Sequence, residues 1–472
     1  MEACCTNKDV YDLAVIGAGS AGFSAAITAA EQGASVALIG RGTIGGTCVN
    51  IGCVPSKTMI RAAEAVHGAY RAGRFPGLAG EAHVSDWRGL VAAKDDLVGT
   101  LRQKKYIDLL PEYDGVAYLE GNAQLNGAGV LVDGRPIAAG KIIIATGASP
   151  AIPDIPGIEH VPYLTSTTAL ELEEQPRSLL VIGGGYIGCE LAQMFARLGT
   201  RVTLVTRARL LPEAEPEIAQ ALDRYLVDEG IAVRIGLTYS GIESREGEIA
   251  LTVHVDGRAE TLAAEKVLVA TGRSPNTAGL GLDEAGVKQL PTGGIYVDDR
   301  MRTSRPGIYA AGDVTGRDQF VYMAAYGAKL AARNALNGDG LVYDNTTMPW
   351  VVFTDPQVAG VGLSERQAMQ QGFDVRASVV SLDQVSRALA ARDTRGLIKL
   401  IAEAGTGRLL GAQILAPEGA DSIQTMVLAI KFGMTTVELG ETIFPYLTTV
   451  EGLKLAAQGF EKDVAKLSCC AG

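Results

Sequence analysis

The feature that most limits how this chain can fold is a strand, glycine turn and helix that occurs twice. Tyr11 to Ile16 is a mostly apolar run that breaks into Gly17-Ala18-Gly19-Ser20-Ala21-Gly22 and continues as an alanine-rich helical stretch. Leu179 to Ile182 leads in the same way into Gly183-Gly184-Gly185-Tyr186-Ile187-Gly188 and a helical stretch through Leu198. One G-x-G-x-x-G is a weak signal in a chain with 58 glycines, whereas two in strand, turn and helix context are strong. Glycine lets the backbone approach a pyrophosphate, and the helix N-terminus behind it offers unpaired N–H groups and a partial positive charge. The pattern predicts two dinucleotide-binding folds, with nucleotide contacts from Gly17, Gly19, Ser20, Ala21 and Gly22 in one and Gly183, Gly185, Tyr186 and Ile187 in the other.

A length of 472 residues exceeds what one core supports, so several domains are expected. Further strand-like runs end in Ala145-Thr146-Gly147 and in Ala270-Thr271-Gly272-Arg273, where a crossover would return the chain to its first fold. A third, Ile308 to Ala311, leads into Gly312-Asp313, and from about Met348 alternating strands give way to helices. The expected fold class is α/β: two Rossmann-like domains plus a C-terminal α+β interface domain. The expected divisions are 1–157 and 276–346 for the first dinucleotide domain, 158–275 for the second and 347–472 for the interface. A net charge of -11 argues against nucleic acid or an anionic membrane as partner. The lack of an 18-residue apolar stretch and of a leader pattern points to the cytoplasm.

Seven cysteines, at 4, 5, 48, 53, 189, 469 and 470, are too few and too clustered for a disulfide scaffold, and in a cytosolic setting paired cysteines mean redox or metal chemistry. In Gly45-Gly46-Thr47-Cys48-Val49-Asn50-Ile51-Gly52-Cys53-Val54-Pro55-Ser56-Lys57 two of them stand five apart at an expected helix start. One helix face would let them close a disulfide, and the helix N-terminus would lower a thiol pKa. Two buried, inert cysteines are the plain alternative, disfavoured by the glycines, the proline and the lysine. Cys189 reads as a packed helix residue. After the second strand of the second fold, Val205-Thr206-Arg207-Ala208-Arg209 offers arginines where a 2'-hydroxyl would want a carboxylate, which predicts NADPH over NADH. The first fold lacks its own acidic residue: Val36-Ala37-Leu38-Ile39 runs into Gly40, so the adenosine ribose contact is lost or supplied elsewhere.

The cysteine motif, both glycine fingerprints, the two Ala-Thr-Gly turns and Ala311-Gly312-Asp313 together resemble the pyridine nucleotide-disulfide oxidoreductases over essentially the whole chain. The resemblance implies bound FAD and NADPH and a homodimer whose active sites use both subunits. It implies that Cys53 lies nearer the flavin as the charge-transfer thiolate, with Cys48 as the interchange thiol. Lys57 would sit by the flavin N5, paired with Glu190, and Asp313 would hold the ribityl chain. Gly46, Thr47, Ala145, Thr146, Gly147, Gly272 and Gly312 would line the cofactor turns, and Tyr186 would cover the flavin face where nicotinamide stacks.

Members of the family that reduce disulfides carry a His-Pro motif with a glutamate five residues after the histidine, and that pair shuttles protons. This chain has no histidine after His254; Phe444-Pro445-Tyr446 stands at the matching place, with Glu451 five beyond Tyr446. A phenol ionising near pH 10 is a poor shuttle at neutral pH. The chain ends in Leu467-Ser468-Cys469-Cys470-Ala471-Gly472, and adjacent thiols suit capture of a soft ion. With Met59-Ile60-Arg61-Ala62-Ala63, these features resemble the mercury(II)-reducing members of the family. That resemblance implies reduction of Hg(II), arriving as a thiol complex, to elemental mercury. Cys469 and Cys470 of one subunit would pass the ion to Cys48 and Cys53 of the other, with Tyr106 and Tyr446 beside the metal. Cys4 and Cys5 would be at most a small thiol outpost, and Tyr106 has a plain reading as a packing residue. Two alternatives stay open: a thioredoxin-reductase-like enzyme using the terminal cysteines, and a flavoprotein that sequesters metal without turnover.

Overall fold

A computed structural model describes residues 10–127 and 129–467. Cys4, Cys5, Cys469 and Cys470 lie outside the described residues. The chain divides into two compact units, one built from the segment up to Thr58, Arg88–Ala151 and Gly272–Asp344, the other from Met59–Trp87, Ile152–Thr271 and the segment from Asn345 on.

In the first unit a parallel sheet places Val116–Glu120 (β3) beside Val36–Gly40 (β2), then Val10–Ile16 (β1), Arg135–Ile144 and Ile308–Ala310. Every residue of β2 is buried, as expected for a parallel strand covered on both faces. In register, Val15 faces Leu38 on one side and Ile143 on the other. The strand Arg135–Ile144 has two roles: its first residues pair antiparallel with Gly129–Val132, and its last run parallel between β1 and Ile308–Ala310. Strand order reverses at β1, so the crevice past its carboxyl end is the natural ligand position. The helix that follows, Ser20–Ala30 (α1), packs on Val321–Asn337 through small buried residues such as Ala25, Ala29, Gly327, Ala328 and Ala331.

The second unit repeats the plan with a parallel sheet in the order Ala232–Arg234, Arg201–Val205, Ser178–Ile182, Lys266–Val269. A three-stranded antiparallel sheet, Thr238–Arg245, Glu248–Val255 and Arg258–Ala264, adds Leu251 and Val253 to the core formed by Leu180, Ile182, Val205 and Val267. The same unit holds a five-stranded antiparallel sheet in the order Pro349–Val352, Gln357–Gly362, Leu409–Ala416, Leu397–Glu403, Val375–Ser381. Helices Gly419–Lys431 and Glu451–Gln458 cover it, burying Met426 and Leu453 against Ile398, Leu400 and Ile414. Lys399 projects from this sheet, 2% exposed, and its ammonium meets Glu215, Glu217 and Glu365 at 2.9, 2.9 and 2.7 Å. Replacing such a charge by an apolar residue strands its partners and costs roughly 3–5 kcal/mol. No helix among the described residues is long and apolar enough to cross a membrane.

Candidate thiol and dinucleotide sites

Both fingerprint turns are built so that glycine is required twice for packing and once for access. A Cβ on Gly17 would lie 2.2 Å from the Ala145 carbonyl oxygen, and one on Gly22 would lie 1.7 Å from the Gly17 oxygen. In the second turn, a Cβ on Gly183 would come 2.2 Å from the Ala270 oxygen, and one on Gly188 would come 1.8 Å from the Gly183 oxygen. The Ala-Thr-Gly turns therefore recur because each packs on the first glycine of a fingerprint. The middle glycine differs: around Gly185 nothing lies within 4 Å of a built Cβ, and beside Gly19 only the Gly46 Cα comes as close as 3.4 Å. Neither α1 nor the helix Tyr186–Arg197 has a side-chain N-cap. A helix start without a side-chain cap, behind a glycine that leaves room for an approaching group, fits a pyrophosphate.

The thiol motif departs from the expected single helix. Gly46–Ile51 (α2) and Cys53–Tyr70 (α3) are separated at Gly52, whose φ of -129° and ψ of -113° are not helical. The cause is local crowding: a Cβ on Gly52 would sit 2.9 Å from the Thr47 oxygen and 3.2 Å from the Cys48 Cα. Only glycine lets the chain fold this tightly over the turn that carries Cys48. Cys53, exposed, opens α3, while Cys48 is half-buried. The two thiols hydrogen-bond.

A lowered pKa was the expectation for a thiol here, and for Cys48 it does not hold. Its hydrogen bond to the Cys53 side chain, burial and the charge of a Cys53 thiolate all push it well up, against a backbone N–H of Cys53 and the more weakly acting Lys57. A thiolate on Cys53 thus keeps the proton on Cys48.

Tyr106 reaches the pair from a π-helical turn, Gln103–Ile107, that ends the helix Trp87–Arg102. Such turns are rare and are frequent at functional sites. Its hydroxyl is 3.4 Å from Ser20 Oγ, and its ring meets Phe23 edge-on at 4.8 Å. Burial raises the phenol's pKa, and negative charge on Cys48 or Cys53 raises it further. Asn50 secures the arrangement, donating to the Ile44 and Gly46 carbonyls at 2.9 Å and accepting from Arg102 at 3.2 Å. Asp313 follows Gly312 in the same unit; burial raises its carboxyl pKa and Arg273, 3.8 Å away, opposes that.

In the second unit, Glu190 is 5% exposed and accepts the Phe353 N–H at 2.9 Å. Tyr186 stacks on Trp350 at 5.7 Å with 22° between the rings, and burial pushes its phenol up to about 12. Arg207 is exposed, with its guanidinium 6.0 Å from the Tyr239 ring centre. Arg209 donates to the Pro212 and Ala214 carbonyls at 2.8 and 2.7 Å, closing the loop that follows. Tyr446 is 50% exposed. Glu451, five residues on, accepts the Leu447 N–H at 3.2 Å. Cys189 is fully buried, its thiol pKa raised by that burial. Among the described residues three carboxylates, Glu215, Glu217 and Glu365, are the one group of three possible metal ligands, and Lys399 already sits among them. Cys48 and Cys53 thus form a two-donor site.

Residues 11–332 match the pyridine nucleotide-disulphide oxidoreductase family, and residues 348–457 match that family's dimerisation domain. This chain is a pyridine nucleotide-disulphide oxidoreductase. It is 48% identical to the mercuric reductase of Staphylococcus aureus over 98% of this chain and 84% of that protein. It is also 48% identical to the mercuric reductase of Streptomyces lividans, over 98% of each. Among solved structures, the Cu(II) complex of the HOCl-induced flavoprotein disulfide reductase of Escherichia coli is similar, with a TM-score of 0.85 and 32% identity over 96% of this chain and 99% of that one.

In this pyridine nucleotide-disulphide oxidoreductase two residues of the sites escaped sequence reasoning. Arg273 pairs with Asp313, donates to the Ala148 carbonyl and lies in the field of Cys53; its signal was its place directly after Ala270-Thr271-Gly272. Trp350, which holds the Tyr186 ring, had no local signal at all.

Proposed function

We propose that this chain is an NADPH-dependent flavoprotein that reduces Hg(II) to elemental mercury. The observation that carries the reading is the thiol site: two hydrogen-bonded cysteines with a phenol in their field and, among the described residues, no histidine, further cysteine or carboxylate grouped with them, in a chain that is 48% identical to mercuric reductases over nearly its full length. A cage of four ligands retains a metal, whereas two thiolates bind a soft ion in passing.

The turn Gly17 to Gly22, Gly46, Thr47 and Asp313 would hold FAD, and Gly183 to Ile187 with Arg207 and Arg209 would hold NADPH. Bound there, FAD would supply the route by which the two electrons of the NADPH hydride reach the thiol site. The balance is NADPH and Hg(II) giving NADP+, a proton and Hg(0). Cys53 meets the ion as thiolate, and Cys48 yields its proton as the ion takes its sulfur. Tyr106 stays protonated, so it adds an oxygen beside the ion without adding charge. The uncharged atom has little affinity for thiolates and departs. In the homodimer, Cys469 and Cys470 of the other subunit would deliver the thiol-bound ion, with Tyr446 beside them. A cytoplasmic setting, where thiols stay reduced, suits this chemistry.

The test is Hg(II)-dependent NADPH oxidation with trapping of mercury vapour, alongside Cu(II) and a protein disulfide as competing substrates, for wild type and Cys469→Ala/Cys470→Ala. Vapour from the wild type, with the variant slowed chiefly when the ion arrives bound to thiols, is the expected result. Turnover of the disulfide or Cu(II) without vapour overturns it.

A further inference from the structure

A dinucleotide fold that opens with G-x-G-x-x-G ordinarily sets a carboxylate about twenty residues on, at the end of its second strand, for the adenosine ribose. Here β2 ends in Gly40. A Cβ at that position would lie 2.8 Å from the Tyr118 hydroxyl and 2.7 Å from the Ala18 Cβ. Tyr118 stands on β3 opposite Leu38, and its ring leans over the end of β2 into the space a side chain at 40 would need.

Two residues further along β3, Glu120 is the register partner of Gly40. Register partners in parallel strands, and residues two apart on one strand, point to the same face. Tyr118 and Glu120 therefore share the face on which residue 40 has no side chain, the face that meets Ala18 in the glycine turn. Among the described residues neither the Tyr118 hydroxyl nor the Glu120 carboxylate has a hydrogen-bond or ion-pair partner, and Glu120 is exposed. The charge of Glu120 reaches the Tyr118 phenol, so the two polar groups stand close together at the sheet's edge.

We infer that Glu120, on the third strand, is the carboxylate that receives the adenosine ribose hydroxyls of FAD, with the Tyr118 hydroxyl beside it. The inference rests on the flavin reading above. The acceptor has moved by one strand, about 4.8 Å, and the phenol bridges the difference because its hydroxyl sits over Gly40 itself.

The experiment titrates apoprotein with FAD, followed by flavin fluorescence, and repeats it with an FAD analogue lacking the adenosine 2'-hydroxyl. The exposed, isosteric change Glu120→Gln is expected to weaken FAD binding roughly tenfold, the loss of one charged hydrogen bond, and to leave binding of the analogue nearly unchanged. Tyr118→Phe is expected to show a smaller loss of the same kind. FAD affinity equal to wild type in Glu120→Gln overturns the assignment, as does an equal loss for FAD and the analogue. Failure of the wild type itself to bind FAD would bring down the flavin reading with it.

Discussion

His67 lies among Arg197, Glu229, Asp355 and Arg395, its Nε2 buried, 3.7 Å from a Glu229 oxygen and without a hydrogen bond. Burial outweighs the two carboxylates and pushes the imidazole down from 6.5 to about 4. Above pH 6.5 the ring is neutral in folded and unfolded chains alike, so it sets no pH dependence there. Between 6.5 and 4 only the unfolded chain takes the proton, so stability falls as pH drops through that window, by on the order of 3 kcal/mol at most. Urea unfolding across that range should show this acid slope in the wild type and a shallower one in His67→Gln; identical slopes would clear the imidazole of the effect. Cys48 and Cys53 could be singled out in the sequence because motif and spacing are local, whereas Tyr106 entered only through the family resemblance. Their ionisation was not. The raised thiol of Cys48, the phenol over Gly40 and the pairing of Arg273 with Asp313 depend on turns and side chains that meet only in the folded chain.

Among the elements, the strand, turn and helix pattern was legible at both nucleotide folds because its glycines are set by close backbone contact. The break between α2 and α3 was not, since the crowding of Gly52 against Thr47 and Cys48 arises only once the turn that carries Cys48 has formed. The fingerprint geometry separates two kinds of glycine experimentally. Gly188→Ala drives a Cβ into the Gly183 carbonyl and is expected to destabilise the protein by about 1–3 kcal/mol. Gly185→Ala has open space, so its melting temperature should match wild type while its KM for NADPH rises roughly tenfold as the methyl obstructs the pyrophosphate. Thermal melts and steady-state kinetics on the two variants check this, and a shared pattern of losses would mean that the open ground at Gly185 is not where the nucleotide lies.

At the scale of the whole molecule, fold class was legible in the repeated fingerprint and in the change of texture near Met348. The surface of the dimerisation domain was not, because single apolar residues in a sequence do not announce which way they face. Between residues 428 and 443 the structure leaves Ile443 95% and Phe432 75% exposed, with Leu428 and Val437 also open to solvent. Such a concentration marks a surface that expects cover. Phe432→Asp/Ile443→Asp is expected to sediment as a monomer with its secondary structure intact and its metal-dependent NADPH oxidation largely lost; a variant that stays dimeric would place the interface elsewhere. The same residues bear on how the protein fares in a cell. A newly made subunit that has not met its partner carries something close to a cut-open core into a crowded solution, and such surfaces find one another. When synthesis outruns pairing, the first symptom should be insoluble protein, appearing before any shortage of catalysis is felt.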